Sequence, residues 1–269
     1  MRCLTIDAFS DKPFAGNPAA VCLLGEERDT SWMQAVAREM NLSETAFVRP
    51  ADGGFLLRWF TPLVEVDLCG HATLAAAHAL WEEGIASLNE DIRFQTRSGE
   101  LICGRREGLL EIDFPSTPAE PSEFPDLLSR GLGVTPQYCG RSQFDALILV
   151  ESEQQLRTID PDFRLLRDLP YRGIIVTSAA EDPRFDFVSR FFAPRVGIDE
   201  DPVTGSAHCA LAPFWHERLG KPEMRAYQAS RRGGEIWLRL EDERVIISGK
   251  AVTVLRSMLL AEQHNSVHR

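Results

Sequence analysis

Two short stretches of the sequence place a glycine and a polar residue directly before an apolar segment. They read CGHAT at residues 69–73 and DPVTGSA at residues 201–207. If a helix follows each glycine, its first free amides and its dipole form a site for a small anion such as a carboxylate. Such a site also stabilises negative charge that develops when a neighbouring C–H bond is deprotonated. Glycine is equally common there as a simple cap or turn, so spacing alone makes Gly70 and Gly205 candidates only.

A glutamate and a histidine are the candidate proton-transfer groups. Glu44 lies at the start of an apolar stretch, residues 43–48, and apolar neighbours favour a carboxyl group that can both take and return a proton. An exposed glutamate at a strand start is the plain alternative. His71 is expected at a helix start, where the dipole favours a neutral imidazole that donates a hydrogen bond or relays a proton. A capping or packing histidine is the alternative there.

The second stretch supplies Asp201 and Ser206. Asp201 precedes a proline and is typical of a turn, whereas Ser206 also fits a plain helix N-cap. The remaining histidines on predicted helices have no spacing that indicates a metal partner, and we interpret them as structural: His78, His208 and His216.

The two stretches belong to a duplicated unit. Residues 58–75 and 190–210 share the same residue types in the same order, with a three-residue insertion before the glycine. The matched pairs are Arg58 and Arg190, Phe60 and Phe192, Pro62 and Pro194, Val64 and Val196, Asp67 and Asp199, Gly70 and Gly205, Ala72 and Ala207, and Ala75 and Ala210. An internal repeat of this kind predicts two related α/β halves. If the halves face each other, both helix starts point into one cleft.

Each half is predicted to hold one main helix surrounded by short strands. The main helices are expected over residues 72–83, ended by Gly84, and over residues 207–219. A first-half helix is expected over residues 31–40, with Thr30 or Ser31 as a candidate N-cap and Asn41 at its end. Four prolines in residues 115–125 mark the crossing between halves. We therefore expect an N-terminal half at residues 1–116 and a C-terminal half at residues 126–255. Residues 256–269 form a tail, polar from Glu262, and the last strand is a candidate to pack back onto the first half.

Composition limits the partners and the compartment. The formal net charge is −11 and no basic run exceeds two arginines, which argues against a nucleic-acid partner. The six cysteines form no CxxC pair and have no metal-ligand spacing to histidine. Scattered cysteines of this kind are typical of buried thiols in a reducing compartment, and Cys209 is expected to be one. Without an apolar signal core or a bilayer-length apolar window, the sequence favours a cytoplasmic protein that makes no membrane contact.

Four motifs together resemble a known family. FAGNPAAV at residues 14–21, LSETAFV at residues 42–48, and the two stretches described above are similar to the PhzF-type phenazine biosynthesis family. The resemblance covers nearly the whole chain in the expected order. It implies an α+β diaminopimelate epimerase-like fold. In that fold two pseudo-symmetric domains each wrap a strongly curved, mostly antiparallel sheet around a central helix.

The resemblance also implies a function and a set of site residues. Members of this family include an isomerase of trans-2,3-dihydro-3-hydroxyanthranilate that moves a proton between carbons without a metal or organic cofactor. By motif, Glu44 matches the family's catalytic carboxylate, His71 its cleft histidine, and Asp201 and Ser206 the acidic and hydroxyl residues of the second loop. Three further residues match substrate-binding positions: Asn17, Gly70 and Gly205. The motif that contains Asn17 implies a side chain at the rim of the substrate site. The resemblance implies a small carboxylate-bearing metabolite as substrate, and a homodimer.

Two other functions stay open at this point. A racemase or epimerase of the same fold needs one thiol on each side of the substrate carbon. Cys69 precedes Gly70, but the counterpart before Gly205 is Thr204, which disfavours that reaction. A non-catalytic metabolite-binding protein is the other alternative, although a pure binder has no need of a full acid–base set.

Overall fold

A computed structural model of the chain describes residues 1–260 of the 269. The chain divides into two compact units. The first unit comprises Met1–Phe14, Pro18–Ile112 and the chain from Lys250, and the second comprises Ala15–Asn17 and Asp113–Gly249. The tail predicted from Glu262 lies outside the described residues.

Short strands outnumber helices in both units, as expected for the α+β class. In chain order the elements are β1 (Arg2–Ala8), β2 (Asn17–Leu23), α1 (Thr30–Met40), β3 (Glu44–Ala51), β4 (Gly54–Phe60), β5 (Glu65–Val66), α2 (Gly70–Glu82), β6 (Ile92–Thr96), β7 (Gly99–Arg106), β8 (Leu109–Pro115), β9 (Glu120–Pro121), α3 (Asp126–Leu132), β10 (Tyr138–Arg141), β11 (Asp145–Leu149), α4 (Glu153–Thr158), α5 (Phe163–Arg167), β12 (Gly173–Ala179), β13 (Phe187–Phe192), a 3₁₀ turn (Pro194–Val196), α6 (Gly205–Leu219), β14 (Glu223–Gln228), β15 (Gly234–Glu241), β16 (Arg244–Gly249) and β17 (Ala251–Met258).

The strand pairings repeat from one unit to the other. In the first unit β2 and β3 are parallel, β3 and β4 antiparallel, β4 and β6 parallel, and β6, β7 and β8 antiparallel in succession. In the second unit β11 to β16 follow the same sequence of parallel and antiparallel pairs. In each unit the main helix connects the strands of the second parallel pair. The duplication read from the sequence is therefore a duplication of topology.

The last strand pairs with the first. β17 runs antiparallel to β1 over its whole length, from Arg2 opposite Met258 to Ala8 opposite Ala251. Strand structure therefore continues three residues beyond position 255, where the sequence-based boundary placed the start of the tail. Main-chain hydrogen bonds to β1 extend the last strand to this point. The sequence of one strand does not specify its partner, so this extension was not predicted.

The two main helices are buried on most sides. Ten of the 13 residues of α2 and nine of the 15 residues of α6 are buried. A helix that is apolar all round is one that the rest of its domain encloses. The alanines of α2 have almost no exposed surface, and their small side chains let the backbone of β1, β3, β7 and β17 approach the helix.

Helix ends follow the predicted chemistry in most places. Asn41 ends α1 in the left-handed region with φ of 50°, and Gly220 ends α6 in the same way with φ of 66°. The N-cap of α1 is Asp29, one residue before the Thr30 or Ser31 expected from the sequence. Among the helices within residues 1–260, none combines the length and apolar character needed to cross a bilayer.

Candidate active site

The first unit brings three polar side chains together at the start of α2. The Nε2 atom of His71 lies 3.1 Å from Oε2 of Glu44, and its Nδ1 atom lies 3.5 Å from Sγ of Cys69. All three residues are buried, with 5 to 9% of their surface exposed. The imidazole is thus held at both nitrogens, by a carboxylate on one side and a thiol on the other.

Local structure explains why these groups meet. Glu44 is the first residue of β3, in parallel register with Ala19 of β2, and His71 is the second residue of α2. Cys69 is the extended N-cap of α2, and its carbonyl accepts a hydrogen bond from Thr73 Oγ1 at 2.6 Å. The start of an inner strand and the start of the buried helix are thereby fixed beside each other.

The charges of this cluster decide the state of the histidine. Burial opposes the imidazolium, but the interactions with Cys69 and Glu44 outweigh burial and raise the pKa of His71 well above 6.5. Burial and the neighbouring Glu44 in turn raise the pKa of Cys69 above 9.0, which favours the thiol. The expectation of a neutral imidazole rested on the helix dipole alone and omitted these two neighbours, which shift the pKa of His71 in the opposite direction.

The same three residues are close enough to be considered as metal ligands. Within residues 1–260 their donor atoms are the one group of three or more such atoms lying within 4.8 Å of one another. However, His71 uses one nitrogen toward Glu44 and the other toward Cys69. A metal ion bound through either nitrogen would displace one of these two contacts. The present arrangement places the imidazole between a carboxylate and a thiol.

The second unit holds Asp201 in a network of buried side chains. Oδ1 of Asp201 accepts from Asn17 Nδ2 at 2.8 Å, and Oδ2 accepts from the hydroxyl of Thr204. Gln228 clamps the same loop: it accepts from the Thr204 amide and donates to the Asp201 carbonyl, both at 2.8 Å. Asn17 and Gln228 have no exposed surface and Asp201 has 7%. The network fixes the loop that leads into α6.

Asn17 was expected at the rim of a substrate site. The structure gives it a different contact, since its buried side chain donates to Asp201 Oδ1 and to the Val203 carbonyl, each at 2.8 Å. Its observed role is therefore to position Asp201, and direct contact with a substrate stays a prediction. The FAGNP motif carried the signal for Asn17, but no local pattern linked it to a residue 184 positions away.

Ser206 belongs to a separate group in the second unit. It is the second residue of α6, and its Oγ accepts a hydrogen bond from Arg172 Nη2 at 3.1 Å. Arg172 also forms a two-pronged ion pair with Asp145. The sequence interpretation did not include either of these residues, nor Thr204 and Gln228 as partners of Asp201. No motif marks them, because only strand pairing brings residues 145 and 172 beside the helix.

The histidines and the cysteine interpreted as structural have structural contacts. The ring nitrogens of His78, His208 and His216 lie 2.8 to 3.2 Å from Thr253 Oγ1, the Thr204 carbonyl and the Lys221 carbonyl respectively. Burial raises the pKa of Cys209 to about 12, as expected for a packed thiol. Gly70 and Gly205 are the first residues of the two buried helices, which is the placement that the sequence predicted for them.

Known proteins with the same organisation point to one family. The profile described as phenazine biosynthesis-like protein, PhzC-PhzF, matches residues 6–257. A protein of Halalkalibacterium halodurans, named an uncharacterized isomerase, is 55% identical over 95% of this chain and 97% of its own. The crystal structure of a PhzF-family phenazine biosynthesis protein from Enterococcus faecalis has a TM-score of 0.92 and 38% identity, covering 96% of this chain and 99% of that one.

A more distant structure bears on the fold. A probable proline racemase from Agrobacterium radiobacter has a TM-score of 0.65 at 12% identity, covering 98% of this chain and 94% of its own. At that identity the similarity concerns the fold alone. Together with the repeated topology of the two units, it confirms the predicted α+β, diaminopimelate epimerase-like fold.

Proposed function

The chain belongs to the phenazine biosynthesis-like family PhzC-PhzF, and from this membership we propose that it shifts a proton on a small carboxylate-bearing substrate. Relatives named as isomerases support an isomerase-type activity. In the finer proposal the substrate is unsaturated or cyclic, and the reaction is similar to isomerisation of trans-2,3-dihydro-3-hydroxyanthranilate. It uses neither a metal nor an organic cofactor.

The buried pair of Glu44 and His71, 3.1 Å apart, is the observation that carries this proposal. Glu44 takes a proton from one carbon of the substrate, and the electron pair of the broken C–H bond moves into the adjacent unsaturated system. The same carboxyl group then returns the proton to another carbon, so the reaction has no net redox change. His71 stabilises the ionised carboxylate before the proton is taken and after it is returned, because its raised pKa favours the imidazolium form.

The roles proposed for the second loop come from the resemblance. Asp201 and Ser206 hold or relay protons, while the amides of Gly70 and Gly205 bind substrate oxygen atoms. Two features support a functional role for Asp201. Its carboxylate is almost fully buried, and it is positioned by Asn17 and Thr204. A buried ionisable group with this many fixed contacts is more common at functional sites than on ordinary turns.

A two-base racemase is the weaker alternative. Thr204 is the N-cap of α6, as Cys69 is of α2, so the second helix carries a hydroxyl where the first carries a thiol. The Thr204 hydroxyl already donates to Asp201, and the raised pKa of Cys69 disfavours its thiolate. Both features argue against a pair of thiol bases. We keep the homodimer and the cytoplasmic location as parts of the proposal, and chromatographic sizing tests the former.

Exchange of substrate hydrogen with solvent deuterium tests the function. The protein is incubated in D₂O with a panel of small unsaturated carboxylates that includes trans-2,3-dihydro-3-hydroxyanthranilate, and deuterium incorporation is followed by mass spectrometry. Glu44→Gln should lower the incorporation rate by about 10² to 10⁴ while ligand affinity changes little. The control is Glu100→Gln, which removes an exposed partner of Arg93 in the same unit.

The outcomes separate the proposed function from its alternatives. Incorporation at the wild-type rate in Glu44→Gln would remove this residue from the mechanism. Tight binding of a carboxylate without any incorporation in the wild-type protein would favour the non-catalytic binding protein. Loss of incorporation after dialysis against a chelator, restored by adding a metal ion, would contradict a reaction that needs no metal.

A further inference from the structure

The guanidinium of Arg172 lies beside Ser206 and is held there rigidly. Its Nε donates to Asp145 Oδ1 at 2.9 Å and its Nη2 donates to Asp145 Oδ2. The carboxylate of Asp145 is 2% exposed, so this partner cannot move into solvent. A planar two-pronged pair of this kind fixes the orientation of the guanidinium as well as its position.

Aromatic rings add to that constraint. The guanidinium carbon lies 5.1 Å from the ring centre of Phe144 and 5.8 Å from that of Phe191. Phe191 reaches this position because residue 173 is a glycine, since a Cβ atom there would lie 2.1 Å from Cζ of Phe191. Gly173 thus makes room for the ring that lies against Arg172.

The Arg172 guanidinium has further hydrogen-bond donors on the side that faces Ser206. Within residues 1–260, the two N–H groups of Nη1 have no hydrogen-bond partner, and the Arg172 side chain is 36% exposed. Ser206 accepts from Nη2, so its own hydroxyl hydrogen is available to a further acceptor. One hydrogen of Nη1 and the Nη2 hydrogen that bonds to Ser206 Oγ lie on the same edge of the guanidinium group. One carboxylate could accept from Nη1 and from the Ser206 hydroxyl together.

The repeat places Arg172 one residue before the position that corresponds to Glu44, the acid of the first unit. Thr45 pairs with Phe60 in the first unit and Ile174 pairs with Phe192 in the second, and Phe60 and Phe192 are matched residues of the repeat. Glu44 therefore corresponds to Gly173, and Arg172 directly precedes it. Both Glu44 and Arg172 contact the second residue of the buried helix of their unit, His71 and Ser206 respectively. One copy presents a carboxylate at this point and the other presents a cation.

We propose that Arg172, together with the Ser206 hydroxyl, is the residue that selects a carboxylate group on the ligand of this protein. The proposal rests on the proposed function in its choice of ligand class, a small carboxylate. Arg172 supplies the positive charge and two N–H donors, and Asp145 is a positioning residue that acts through Arg172. A neutral amide of the same shape would lose the charge-assisted hydrogen bonds, so the site discriminates by charge rather than by size.

Binding of matched probes tests this assignment independently of catalysis. The probes are benzoate against benzamide and crotonate against crotonamide, with dissociation constants measured by ligand-observed NMR. Wild type should prefer each carboxylate over its amide, and Arg172→Gln should lose about 10- to 100-fold of that preference. Arg184→Gln is the matched control, because it removes one exposed arginine of the same unit.

A second variant covers the case in which Arg172→Gln fails to fold, since it leaves the buried carboxylate of Asp145 without its partner. The double variant Asp145→Asn with Arg172→Gln removes both charges, and it should fold and show the same loss of preference. The absence of any carboxylate preference in wild type, or its retention in a folded variant, overturns the assignment. The two proposals can fail separately. If the wild-type protein prefers carboxylates, Arg172→Gln removes that preference, and no deuterium exchange is found, then the proposed function is overturned and this assignment stands.

Discussion

Acid is expected to destabilise the second unit through one histidine on its buried helix. His208 has no exposed surface, and its ring stacks on Phe187 at 6.0 Å. Its Nδ1 lies 2.8 Å from the carbonyl oxygen of Thr204, which can only accept, so Nδ1 carries the hydrogen. Nε2 has no hydrogen-bond partner within residues 1–260. Burial lowers the pKa of His208 to about 4, although the bond to Thr204 opposes that shift.

The size and sign of the effect follow from this pKa. An unfolded histidine titrates near 6.5, so between pH 6.5 and 4 the unfolded chain binds a proton that the folded chain does not. Stability therefore falls as the pH is lowered through this window. A drop in pKa from 6.5 to about 4 corresponds to a loss of about 3 kcal/mol in the free energy of unfolding once the window is crossed.

Urea unfolding of wild type and His208→Asn at several pH values between 7 and 4 measures this contribution. The asparagine amide keeps a donor for the Thr204 carbonyl but does not titrate, so the variant should be less stable at pH 7 and lose less stability toward pH 4. The matched control is His216→Asn, which removes a partly exposed histidine from the same helix. Equal pH dependence in wild type and His208→Asn would refute the assignment of a buried neutral imidazole.

Three further predictions concern the residues around the candidate site. Gln228→Met should lower the free energy of unfolding by about 2 to 4 kcal/mol, because it removes the buried hydrogen bonds to the Thr204 amide and the Asp201 carbonyl. Gln95→Met, at an exposed hydrogen bond, should change it by less than about 0.5 kcal/mol, and equal losses would contradict this. Gly173→Ala should lower the free energy of unfolding by about 1 to 3 kcal/mol, because the added methyl group displaces Phe191, and it should weaken benzoate binding. The control Gly25→Ala, at a position with open space around it, should have neither effect. Cys69 should not react with iodoacetamide at pH 8 in the folded protein but should react after unfolding, and mass spectrometry measures the labelling. Rapid labelling of the native thiol would favour the two-base reaction.

Local patterns were sufficient for the two buried helices and the repeat. Alanine-rich runs led by Gly70 and Gly205 gave both helices to within two residues, whereas the short helices α3 and α5 were not predicted. These features depend on propensity and end chemistry within one segment. The resemblance then supplied the fold, which the comparisons confirmed.

Side-chain partnerships were beyond local patterns. The sequence proposed Glu44 and His71 separately, and only the placement of β3 beside α2 gave the 3.1 Å contact and, through it, the raised pKa of the histidine. Asn17 was expected at a rim and is instead buried against Asp201. A pKa depends on burial and on charges within a few ångströms, and neither quantity follows from neighbours in the sequence.

By itself the sequence determined two related halves, each with a glycine-led helix and polar residues at the helix start. Tertiary structure alone decided which polar groups meet there: Glu44 with His71 and Cys69 in one unit, and Arg172 with Ser206 and Asp145 in the other. Strand register contributes to this, because one residue of slip would turn Glu44 of β3 and Asp145 of β11 to the opposite face of the sheet. That register is set by hydrogen bonds and packing between segments far apart in the chain.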